Sequence, residues 1–101
     1  MKDMAKKPYD SLGIPPAARS EGGIEVLRAA VVGQNLAMSM RRAFDDPALW
    51  GALLATVAHQ AAQIYAKETG GSEDAARERI REAFDNEMAS NEDAGTVTAA
   101  R

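Results

Sequence analysis

The side chains that could carry acid–base or metal chemistry are few in this chain and poorly spaced. His59 is the only histidine and there is no cysteine, which excludes a disulfide, a thiolate metal site and a cysteine nucleophile. A general base needs a partner and a metal needs several ligands, yet no carboxylate lies three or four residues from His59. We predict no catalytic residue, no metal site and no cofactor. His59 is interpreted as a packed or half-exposed side chain, with a contact across a dimer interface as the second interpretation.

Three further patterns resemble chemical motifs but have simpler structural explanations. Asp45 and Asp46 precede Pro47, where acidic side chains cap a helix and complement its dipole. The Gly70-Gly71 pair precedes a helix as an anion-binding loop does, but no lysine follows and the first turn is acidic. No serine is flanked as a nucleophile elbow requires. An enzyme that uses His59 with a carboxylate from a partner chain is therefore the least supported function.

Composition and charge narrow the choice of partners. The chain has 101 residues, a net charge of −3 and 46% hydrophobic residues. The negative charge argues against nucleic acid and anionic membranes, which attract basic surfaces. No apolar segment reaches membrane-spanning length and no apolar signal segment follows the first lysines, so a cytoplasmic protein is expected. A core this small favours oligomerisation.

Residues 24–42 have two interpretations, and the register of apolar side chains separates them. Alanine, leucine and methionine favour a helix, whereas the valines and Gly33 favour two strands. A hairpin with a Gly33-Gln34 loop of type II′ places the large apolar residues opposite one another on one face. The predicted pairs are Leu27 with Met40, Ala29 with Met38, Val31 with Leu36 and, at the open end, Glu25 with Arg42. A shift of one residue destroys this pattern, so the hairpin is predicted.

Two helices are predicted after the hairpin. The first begins after the Asp46 cap with Pro47 and ends near Gly70. It combines an apolar face of period 3.6 with a face of small residues, which predicts cover on more than one side. The second helix is amphipathic and begins at Ser72, with Glu73 and Asp74 in its first turn.

The sequence therefore predicts an α+β protein in which an N-terminal β-hairpin packs on two C-terminal α-helices (ββαα). Residues 1–22 are predicted to be an extended or disordered arm, 23–90 a single domain and 91–101 a disordered tail. Pro15, Pro16 and the Gly22-Gly23 pair suggest the first boundary. A scarcity of large apolar side chains suggests the second.

Several segments resemble a small bacterial family. These are IPPAA (14–18), IEVLRAAVV (24–32), LAMSMRRAFDDPALWGALLATVAHQAAQIYA (36–66) and IREAFDNE (80–87). Their most specific part is EVLRA followed by the AFDDP–W–G helix start. The chain resembles the family catalogued as domain of unknown function 5076. That resemblance supports the strand interpretation of residues 24–42 and implies no activity.

The hairpin predicts an interface because two strands alone have two exposed edges. We expect a homodimer whose edge strands pair into a four-stranded sheet, or else a monomer whose arm covers one edge. The predicted interface residues are Val26, Arg28, Ala30, Ala37, Ser39, Arg41 and His59.

Two functions follow from these features. The first is a non-enzymatic homodimeric interaction or structural protein, which leaves room for an unidentified protein partner. The alternative is a small-ligand-binding or regulatory protein. Its pocket would lie between the hairpin and the central helix, around Met40, Trp50 and Tyr65.

Overall fold

A computed structural model describes residues 8–90 and 95–100 of the chain. The elements follow one another as α1 (Pro16–Glu21), β1 (Leu27–Val32), β2 (Asn35–Arg41), α2 (Ala48–Thr69), α3 (Glu73–Ser90) and β3 (Gly95–Ala100). This confirms the α+β class, with a hairpin followed by two long helices.

The hairpin has the predicted register. Leu27 lies opposite Met40, Ala29 opposite Met38 and Val31 opposite Leu36. Gly33 has a φ of 64°, the left-handed conformation that the first central residue of a type II′ turn requires. The alternation of apolar side chains therefore determines which face of the hairpin is apolar.

The open end of the hairpin differs from the prediction. Arg28 binds Glu25 at 2.8 Å, while Arg42 lies 3.6 Å from Asp45. The predicted Glu25–Arg42 pair is therefore wrong. The strand ladder ends with the Arg41 amide bound to the Val26 carbonyl at 3.2 Å. Beyond it Ala43 has a φ of 65°, so the chain turns away before Arg42 can face Glu25.

Both helices begin and end at the predicted residues or close to them. The Asp46 carboxylate accepts the Ala48 N–H at 2.9 Å, and the Ser72 hydroxyl oxygen accepts the Ala75 N–H at 3.1 Å. Gly70 ends α2 in the left-handed conformation, with φ at 77°. These contacts satisfy N–H groups that the helix itself leaves without partners.

Two terminal segments differ from the prediction. Within the arm predicted to be extended, α1 forms one short helix over Pro16–Glu21. Pro16 fixes the first φ angle of this helix, the alanines that follow favour a helical backbone, and a glycine ends it. Within the tail predicted to be disordered, β3 runs parallel to β2 with Val97 opposite Met38. Residues 8–15 of the arm form no helix or strand. The parts of both predictions that concern residues 1–7, 91–94 and 101 lie outside the described residues.

The packing of the hairpin on the helices does not occur within one chain. In the described residues the elements that approach one another are β1 with β2, β2 with β3, and α2 with α3. No Cα of the strands comes within 8 Å of a Cα of α2 or α3. Ala62, on the small-residue face of α2, is the one buried hydrophobic residue in the described part of the chain. The core of a single chain is thus limited to the seam between its two long helices.

Candidate interaction surface

No helix of the same chain covers the apolar face of the hairpin. This apolar sheet face consists of Leu27, Ala29, Val31, Leu36, Met38, Met40 and, across the parallel pairing, Val97. Val31 is 78% exposed and Val97 50% exposed, although branched side chains of this kind favour burial on a sheet. Leu27, Leu36, Met38 and Met40 are half-buried. Since no helix of the same chain approaches this face, part of its apolar area still faces solvent.

Helix α2 has a second uncovered surface. The apolar α2 face consists of Leu49, Leu53, Leu54, Val57, Ile64 and Tyr65. Val57 is 52% exposed and Ile64 54% exposed. The helix packs on α3. Ala62 is its fully buried residue, and Ala58, Ala61 and Ala66 are half-buried. The face that the sequence predicts to cover the hairpin is therefore the one left open.

The surface area of the whole chain agrees with these two open faces. The chain exposes 8762 Å², whereas a folded monomer of 10.7 kDa exposes about 5,500 Å². The chain therefore exposes more surface than a compact monomer of its mass. Such an excess is expected of a subunit that buries ~1,000 Å² or more in an obligate dimer.

The three residues proposed for a pocket lie in different parts of the fold. Trp50 donates its indole N–H to the Arg42 carbonyl at 2.7 Å, and its ring meets the edge of Phe44 at a centroid distance of 5.7 Å. Tyr65 lies on the exposed α2 face and Met40 on the sheet face. Trp50 therefore anchors the connection between β2 and α2, and a pocket at these three residues stays a prediction.

The residues predicted for the interface lie on the opposite, more polar face of the hairpin, apart from His59. Arg28 faces Ser39, and Ala30 faces Ala37. Val26 accepts the last ladder hydrogen bond from the Arg41 amide, and the Arg41 guanidinium donates to the Glu25 carbonyl at 3.0 Å. Some hydrogen-bonding groups at this face are therefore satisfied within the chain. The role of the face as an interface stays a prediction.

His59 is exposed on α2. No cluster of three histidine, cysteine, aspartate or glutamate side chains suited to a metal ion occurs among the residues that the structure describes. Nor does any described helix have the length and apolarity to cross a bilayer.

A groove that sequence reasoning missed separates the arm from β1. It has a volume of about 1210 Å³, and its lining includes Tyr9, Leu12, Ile14, Ile24, Arg28 and Val31. Arg28 donates to the Tyr9 hydroxyl at 3.4 Å and to the Glu25 carboxylate at 2.8 Å. The hydrogen bond with Tyr9, followed by that with Glu25, raises the pKa of Arg28. Arg28 thus remains charged while it links the arm to the edge of the sheet.

The chain is similar to known proteins over most of its length. No curated protein matches the chain. A solved structure from the photosynthetic bacterium Rhodopseudomonas palustrus, described as a "putative pyruvate dehydrogenase", is 38% identical with a TM-score of 0.74. The match covers 95% of this chain and 100% of that one. A family model matches residues 11–92, from the arm through α3. The chain therefore belongs to the family described as domain of unknown function (DUF5076).

Proposed function

We propose that this protein is a non-enzymatic interaction or structural module that works as a homodimer in the cytoplasm. The observation that carries the proposal is the exposed apolar surface of the single chain. It comprises a sheet face that no helix of the chain covers and a helix face on which Val57 and Ile64 are more than half exposed. Apolar burial contributes about 25 cal/mol per Å². A second copy that covers ~1,000 Å² of each chain therefore supplies tens of kcal/mol of gross stabilisation, to set against the entropy of ordering the chain.

The two edges of the hairpin argue for a dimer formed through faces rather than through the hairpin edges. One edge of β2 pairs with β1 and the other with β3, so β2 offers no free edge. The other edge of the hairpin, on β1, faces the groove beside the arm, where Tyr9 contacts Arg28. Among the described strands, the outer edge of β3 has no partner strand. The four-stranded sheet expected from edge pairing is therefore replaced in this proposal by contact between apolar faces.

Sedimentation velocity tests the homodimer directly. We expect a species of twice the 10.7-kDa chain mass at micromolar concentration. We also expect a midpoint of thermal unfolding that rises with protein concentration, because association stabilises the folded state by mass action. A monodisperse 10.7-kDa species with a concentration-independent midpoint would contradict the proposal.

A ligand-binding function is the second candidate, and the groove beside the arm favours it. Its volume of about 1210 Å³ exceeds what a typical small ligand needs. A thermal-shift screen against metabolites and short apolar peptides tests this candidate. A binder is expected to raise the unfolding midpoint of the natural protein and to lose that effect in Arg28→Ala, which releases the arm. Equal shifts in both proteins would place the ligand elsewhere.

The activity in the description of the structural relative is a statement about that protein. No contact among the described residues of this chain argues for it, so it forms no part of the proposal.

A further inference from the structure

We propose that the two copies exchange their helices, so that α2 of each protomer covers the apolar sheet face of its partner. This inference rests on the proposed homodimer and specifies its geometry. It assigns one occupant, a second copy of this chain, to both uncovered faces at once. Each sheet then gains the helical layer that it lacks within its own chain.

The dimensions of the two faces match. The apolar α2 face extends from Leu49 to Tyr65, sixteen residues further along the helix, which is about 24 Å of helix axis. Strands β1 and β2 have 6 and 7 residues and therefore extend roughly 20 Å. One helix is therefore long enough to cover the sheet face along the direction of its strands, and little of the apolar α2 face extends beyond the ends of the strands.

The order of the elements also requires a helical layer on this sheet. β2 and β3 are parallel neighbours, and α2 with α3 connects them. Crossover connections of this kind normally lie against the sheet that they connect. In this chain both helices stand clear of it. Exchange of an equivalent element between protomers restores the layer at low cost.

The connection between β2 and α2 explains why a chain does not cover its own sheet. Ala43 turns the backbone with a φ of 65°, and Trp50 is hydrogen-bonded to the Arg42 carbonyl at 2.7 Å. Phe44 packs against the Trp50 ring at 5.7 Å. These contacts hold the first turn of α2 beside the end of β2. The helix therefore projects away from its own strands.

A two-fold axis satisfies both faces in a single arrangement. If the sheet of one copy meets the helix of the other, the symmetry operation generates the reciprocal contact. If each sheet face packed on the other sheet face and each α2 face on the other α2 face, the dimer would consist of a β-sandwich beside a helix bundle. That arrangement lacks the helix-on-sheet layer typical of α+β domains. Reciprocal exchange is the arrangement that the fold class favours.

Cysteine cross-linking separates these arrangements, because the natural chain has no cysteine. Met38→Cys marks the sheet face and Val57→Cys marks the α2 face. The two variants are mixed, unfolded, refolded together and treated with a short bis-maleimide. We expect a shift from 10.7 kDa to twice that mass in the mixture, and no shift in either variant alone. Circular dichroism verifies that each variant folds, and Leu36→Cys with Ile64→Cys is a second pair.

The matched control pair is Ser39→Cys with His59→Cys. Ser39 lies on the opposite face of the sheet, next to Met38, and His59 lies on the side of α2 away from Val57. We expect no cross-link between this pair. A link here, together with none between the first pair, would move the interface to the polar face and overturn the exchange.

Failure of the exchange is distinguishable from failure of the homodimer. Suppose that sedimentation shows a dimer while Met38→Cys alone, or Val57→Cys alone, forms a cross-link. In that dimer the sheet face packs on the sheet face and the α2 face on the α2 face. That result overturns the exchange and leaves the homodimer intact. A chain with both substitutions that cross-links internally at high dilution covers its own sheet, which also overturns the exchange. A monomer in sedimentation overturns both proposals.

Discussion

Trp50 is the residue that joins the two halves of the chain. Its indole N–H binds the Arg42 carbonyl and its ring meets Phe44, while the sheet and the helices make no other close approach within the described residues. The Trp50 side chain therefore acts together with the turn at Ala43 to fix the direction in which α2 leaves the sheet. A tryptophan at the start of an apolar helix predicts a packed side chain, and the structure adds the specific role of an anchor.

We expect Trp50→Phe to lower the free energy of unfolding by about 1 kcal/mol, because it removes one hydrogen bond and keeps an aromatic ring beside Phe44. Urea unfolding followed by circular dichroism at fixed protein concentration measures the change. Tyr65→Phe is the control and should change it by less than about 0.5 kcal/mol. Equal effects of the two substitutions would disprove the anchoring role.

Two glycines should respond to alanine in opposite directions. Gly33 has a φ of 64°, so Gly33→Ala should destabilise the protein by ~1 kcal/mol or more through backbone strain. Gly51 lies inside α2, and a Cβ there would meet nothing within 4 Å. Gly51→Ala should therefore stabilise the protein by up to about 1 kcal/mol. Thermal unfolding at one concentration decides the signs, and a stabilising Gly33→Ala would refute the type II′ turn.

At the scale of elements, local capping signals determine where the long helices begin. Asp46 and Ser72 accept backbone N–H groups at 2.9 and 3.1 Å, and both residues are recognisable in the sequence.

The short α1 has weaker signals, Pro16 and a following glycine, beside prolines that favour an extended chain. For β3 the signal is a Thr-Val-Thr segment without large apolar neighbours. Its formation depends on the free edge of β2, which is distant in sequence.

Adjacent aspartates provide a matched test of capping. Asp46→Ala should cost about 1 kcal/mol, since the Ala48 N–H loses its partner. Asp45→Ala removes only an exposed pair with Arg42 at 3.6 Å and should cost less than ~0.5 kcal/mol. Chemical denaturation of both variants gives the comparison. If Asp45→Ala proved the more damaging, the assignment of the cap would be wrong.

At the scale of the whole molecule, the distribution of apolar surface matters most. One chain buries Ala62 where α2 packs on α3 and leaves large apolar side chains such as Val31, Val57 and Ile64 more than half exposed. A monomer with so much exposed apolar area is expected to associate. The net charge of −3 does not oppose this partner strongly, because the repulsion between two copies is small.

A charge placed on either open face should therefore dissociate the dimer. Met38→Asp and Val57→Asp each bury an unpaired carboxylate at the proposed interface, and we expect each to weaken association at least ~100-fold, about 2.7 kcal/mol. Ser39→Asp, on the opposite face of the same strand, should leave association unchanged. Sedimentation equilibrium measures all three. Dissociation by Ser39→Asp alone would show that the polar face is the interface.

The sequence by itself determined the α+β class, the hairpin register, the caps and the family of this protein. These features depend on neighbouring residues, on alternation with period two and on turn chemistry, all of which are legible along the chain. The tertiary structure decided which face of α2 meets α3 and that β3 pairs with β2. It also decided that the hairpin stays uncovered by its own helices. Those outcomes depend on the path of the backbone after Arg42 and on its turn at Ala43. Amphipathic periodicity predicts that an apolar face must be covered, but it does not specify which surface covers that face.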